Sequence, residues 1–261
     1  MEPVNATRSE RRGRENERAV TELVGFVLLF GTVVLSVALV SVVGVQSIQL
    51  HEQQQSTRDV DRALVALSAD FDDIVRSEGV RERTNRLAVA GGQISTGEPG
   101  PKVDLRIDYR EGTETESWRL GSVVYESGSE SVAYEGGGVF RSGEMGERTA
   151  IVEPRLTCSD ETALVSLVRI TEDGGSYQSA RRASITATET GTAYRETFSD
   201  VRSLEVGVET DTADTRGWTD VFGSEWTQTG RGWTCAGSDG DGIERLAVHV
   251  VELEVSVVPS A

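Results

Sequence analysis

Lysine is almost missing from this chain of 261 residues. Of its 26 basic side chains one, Lys102, is lysine, and all the rest are arginine. Histidine occurs twice (His51, His249), cysteine twice (Cys158, Cys235) and proline five times. Neither cysteine has a second Cys or a His near it at zinc-binding spacing, so no metal site is written in the sequence. The chain has no HExxH, no GxSxG, no phosphate loop and no GxGxxG. Serine and threonine are plentiful, but none stands beside a base that would make it a nucleophile. The expectation is therefore a protein that is not an enzyme, has no cofactor and has no catalytic residue.

Basic patches are absent as well. The formal net charge is −17, with 43 acidic residues. Nucleic acid needs clustered Lys and Arg on one face, so it is excluded as a partner. Many carboxylates with almost no lysine suit concentrated salt: carboxylates hold water strongly, and salt screens their mutual repulsion. The composition reads as that of a halophile, with an archaeal source expected.

One long apolar run is present. Residues Leu23 to Leu50 (LVGFVLLFGTVVLSVALVSVVGVQSIQL) carry no charge and are apolar on every side. Such a helix prefers lipid or other apolar helices to water. Its length predicts a transmembrane helix over 19–50, since about 20 residues span a hydrocarbon core. Five arginines precede it in residues 1–18 (Arg8, Arg11, Arg12, Arg14, Arg18). They predict a cytoplasmic amino terminus, with everything after the run outside the cell.

Beyond the run, Val60, Leu64, Leu67, Phe71 and Ile74 fall at spacings of 4, 3, 4 and 3. This predicts an amphipathic helix over 51–79, ended by Gly79, with its apolar seam docked on a sheet of the same chain. From residue 80 the period changes to two. Val103, Leu105, Ile107 and Tyr109 alternate with polar residues, Ser127-Gly128-Ser129 marks a hairpin, and ALVSLVRI (163–170) is the strongest internal strand. Strands are also expected at 183–188, 194–198, 203–208 and 245–258, the last with a bulge near Val251. The expected fold class is α+β: a long amino-terminal transmembrane and amphipathic helix, then an extracellular, sandwich-like antiparallel β domain over 80–261. That domain forms either one sandwich or two sheets, 80–155 and 156–261. Cys158 and Cys235 are either one disulfide, if the domain lies outside the cell, or two buried thiols. Ser238-Asp239-Gly240-Asp241-Gly242 reads as a turn, because the third acid and distal Glu of a calcium loop are missing. Trp218, Trp226 and Trp233 read as core.

The junction Arg18-Ala19-Val20-Thr21-Glu22-Leu23-Val24-Gly25-Phe26 resembles the class III signal of archaeal type IV pilin-like proteins. In that family a prepilin peptidase cuts just before the apolar helix. The resemblance places the cut between Arg18 and Ala19, leaving a leader of residues 1–18. Two positions depart from the pattern: Thr21 stands where Ser is commoner, and Glu22 lies four residues after the cut instead of five. The stretch SVVYESGSESVAYEGGGVFRSGEMGERTAIVEPRL (122–156), with ALVSLVRI, also resembles the external part of haloarchaeal pilin-like proteins of unassigned function. The resemblance implies an exported structural subunit of a surface filament. Its partners would be membrane lipid, the prepilin peptidase and other pilin-like subunits. The alternative is a non-polymerising, single-pass surface protein that binds a ligand or partner.

Overall fold

A computed structural model describes residues 25–38, 60–77, 79–88, 92–97, 100–143, 146–172, 176–178, 182–210, 216–237 and 242–260. The chain divides into two units, Met1–Gln54 and Gln55–Ala261.

The first unit contributes one described helix, 25–38. Here the transmembrane expectation fails. No described helix is long and apolar enough to cross a membrane. The described helical stretch, 25–38, covers fourteen residues, fewer than the roughly 20 that a span needs. The longer span rests on hydropathy alone. The remainder of the predicted span, the leader 1–18 and the Arg18–Ala19 junction lie outside the described residues.

The α+β expectation is corrected too. The protein is mostly β, with fifteen strands among the described residues. Among the described residues the helices are 25–38, 60–76 and the single turn Arg216–Thr219. Many short runs of alternating residues outweigh one amphipathic helix.

The strands form two sheets. The larger takes β1 (Glu82–Ala88), β3 (Lys102–Tyr109), β4 (Gly112–Arg119), β9 (Arg155–Cys158), β10 (Thr162–Glu172), β12 (Arg182–Glu209), β13 (Thr227–Thr229), β14 (Gly232–Cys235) and β15 (Ile243–Ser260). The smaller runs β11 (Ser176–Gln178), β2 (Gln93–Gly97), β5 (Ser122–Ser127), β6 (Glu130–Glu135), β7 (Gly138–Ser142), β8 (Arg148–Val152). Strands from before residue 156 thus enter both sheets. The larger sheet is also mixed, because β10 and β15 pair in parallel from Thr162↔Arg245 to Glu172↔Val255. Both are nearly unbroken apolar runs, the pattern of strands buried at a sheet centre.

Strand β12 unites three predicted strands in 28 residues. It lies along β15 on one edge, and along β1 and then β3 on the other. It does not stay straight. Trp118 is registered to Val103, and Val103 to Val208. Tyr194 lies fourteen residues before Val208, about 46 Å away along a straight strand. Yet the Trp118 and Tyr194 rings meet at 5.4 Å. The sheet therefore folds over on itself. The corner is at Asp200, whose φ of 52° lies in the left-handed region, and the register slips between Val201 and Ser203. Asp tolerates that conformation better than most side chains.

Two apolar cores result. The first fills the fold-over with Leu105, Ile107, Trp118, Leu204, Val206, Leu246, Val248 and Val250. The second lies among the smaller sheet, the other half of the larger sheet and helix 60–76. Val60, Leu64, Leu67, Phe71 and Ile74 are all at most 3% exposed. The seam predicted by the 4-3-4-3 spacing docks on its own β domain, where the Phe71 and Tyr134 rings meet edge-on at 4.8 Å. Gly79, just past the helix end, has φ 104°.

Candidate functional site

The most chemically distinctive constellation is a buried charge cluster where the smaller sheet meets the turn Arg216–Thr219. Glu135 ends β6 and Arg148 begins β8. Their side chains are 8% and 7% exposed and lie 2.6 Å apart. Glu135 also accepts a hydrogen bond at 3.1 Å from Nε1 of Trp218, a fully buried residue of the turn Arg216–Thr219. The Arg148 guanidinium lies 5.0 Å from the centre of the Phe140 ring, and that ring stacks on Trp218 at 5.1 Å. The local sequence makes this arrangement possible. Gly136 follows Glu135 with φ 60°, and a Cβ there would stand 2.6 Å from Leu120 and 3.0 Å from Trp218. Only glycine lets the chain leave β6 beneath the indole.

Chemically the cluster is a lock. Each charge is neutralised by the other, and a buried pair of this kind orders the groups around it. It ties Trp218 to the smaller sheet, and Trp218, Val221, Phe222 and Trp226 of segment 216–226 are buried in the first core. Arg148 Nε has no protein partner. Nothing in the cluster pairs a nucleophile with a base. Glu135 and Arg148 belong to no motif that marks them in the sequence. The available signal was a carboxylate closing an apolar strand immediately before Gly136-Gly137-Gly138.

A second set of charges clamps helix 60–76. Asp61 pairs with Arg141 of β7 at 2.9 Å, Asp72 with Arg155 of β9 at 2.9 Å, and Asp73 with Arg83 of β1 at 3.6 Å. Asp70 accepts from Asn85 of β1 at 2.9 Å. Burial raises the pKa of Asp61 against the pull of Arg141, and that of Asp72 against the pull of Arg76.

Cys158 and Cys235 form a disulfide, with Cα atoms 5.9 Å apart. Cys235 is registered to Leu204, while Cys158 reaches the level of Phe198 through Ala163 and Leu246. In a flat sheet those levels would be six residues, about 20 Å, apart. The bond therefore staples the fold-over shut.

The other candidates contribute no site. Trp218 and Trp226 are buried, and Trp233 stacks flat on Phe222 at 4.1 Å, so the tryptophans pack instead of forming an open sugar-binding face. His249 accepts from Arg195 at 2.8 Å, and burial together with that guanidinium lowers its pKa. The 238–241 part of the acidic turn and His51 lie outside the described residues. Among the described residues no group of three or more His, Cys, Asp or Glu could hold a metal ion. An open groove of about 510 Å3 runs past Asp104, Arg106, Glu205, Glu209 and Arg231. Its charges oppose one another, and two of its carboxylates, Asp104 at 2.9 Å and Glu209 at 3.6 Å, pair with Lys102.

Helix 25–38 is different in kind. Its large apolar side chains are exposed all round: Phe26 66%, Leu29 66%, Val33 50%, Val34 50% and Leu35 63%. Its two hydroxyls, Thr32 and Ser36, donate back to the carbonyls of Leu29 and Val33, both at 2.8 Å, and it carries no charged side chain.

Comparison with known proteins gives one result. No curated protein and no solved structure matches the chain. A family model matches residues 18–258, nearly the whole length, and by that match the chain belongs to the family of unknown function DUF7289.

Proposed function

We propose that the protein is an exported, pilin-like structural subunit that assembles with other copies through its apolar helix. The observation that carries this reading is helix 25–38, whose exposed side chains are apolar on every side. In water such a surface favours packing against further apolar helices. The β domain would form the outer part of the assembly. Its disulfide accords with an oxidising, extracellular setting. Its excess of carboxylates accords with surroundings rich in salt. The Arg18–Ala19 junction supplies the processing step: a prepilin peptidase would remove residues 1–18 before assembly.

The test is made on protein from its native host. Mass spectrometry of the amino-terminal peptide and sedimentation of sheared surface filaments are run together. A chain beginning at Ala19 and present in the filament fraction is expected. Val34→Asp, which puts a charge on the apolar helix, should abolish recovery in that fraction while leaving the β domain folded. A chain that keeps residues 1–18 and never sediments with filaments would overturn the proposal.

A further inference from the structure

We draw no further inference here: the strongest candidate, the edge of β12 at residues 190–199 between its pairings with β1 and β3, is interrupted by register shifts, and nothing in the structure shows what strand would cover it.

Discussion

Val250 and Val251 are neighbours in β15, both almost fully buried, and each belongs to a different core. Successive side chains of a strand point to opposite faces. The sheet therefore passes between the two cores, and the covered face changes at this step. The change is level across the sheet, because Leu167↔Val250 and Val168↔Val251 are paired in β10 and divide between the cores in the same way. Truncating Val250 and Val251 to Ala should each cost about 2 kcal/mol, from lost burial plus a small cavity. The two side chains face different cores, so the double variant should lose close to the sum, with only a modest coupling through their shared backbone. Urea unfolding of the four proteins measures this, and a coupling as large as either single loss would show that the two faces are not packed independently.

The same pair explains what the sequence showed and what it hid. Alternation breaks at Val250-Val251, and a bulge in the last strand was the natural reading. In fact β15 keeps an unbroken register with β10. The slips fall in its pairing with β12, between Glu189 and Gly191 and between Thr192 and Tyr194, and the extra residues are on β12. A lone sequence cannot tell a bulge from a change of covered face, because both bring two apolar residues together. Helix 60–76 was legible because its five seam residues carry their own period. The alternation of β3 was legible for the same reason. The continuity of β12 was not, since Gly191 and Asp200 look like breaks in one dimension. The Glu135–Arg148–Trp218 cluster was not legible either: Trp218 is 83 positions from Glu135, and only the folded chain brings them together.

That cluster makes a sharp prediction. Arg148→Met leaves Glu135 as a buried carboxylate with, among the described residues, Trp218 alone to hydrogen-bond it. Breaking one partner of a buried pair costs about 3 kcal/mol or more. Adding Glu135→Gln removes the stranded charge, so the double variant should recover part of the loss. Denaturant midpoints of the two variants decide it; a double variant less stable than Arg148→Met would mean that Glu135 does more than balance the charge.

His249 sets the sign of one pH effect. Its pKa is lowered by burial and by Arg195, with Glu189 opposing, from an ordinary value of 6.5. The folded state thus prefers the neutral ring. A lowered histidine contributes stability above pH 6.5 that is lost as pH falls through the folded pKa. In His249→Asn the decline in stability between pH 7 and pH 5.5 should be shallower than in the parent. Thermal midpoints at several pH values check this, and parallel slopes in the two proteins would remove His249 as a contributor.

The disulfide is the most direct handle on the fold-over. It closes a loop of 77 residues, for which chain entropy in the unfolded state predicts about 4.5 kcal/mol of stabilisation. It also joins β9 to β14, the two halves brought together by the bend at Asp200. Replacing Cys158 and Cys235 by Ser should therefore do more than lower the unfolding midpoint. Protection should be lost first in β13 and β14, which are short and which the bond ties to β9, whereas helix 60–76 sits in the second core and should keep its protection. Amide hydrogen exchange of parent and double variant resolves the two regions. Equal loss in helix 60–76 and in β14 would mean that the molecule unfolds as one unit and that the staple supports both cores alike.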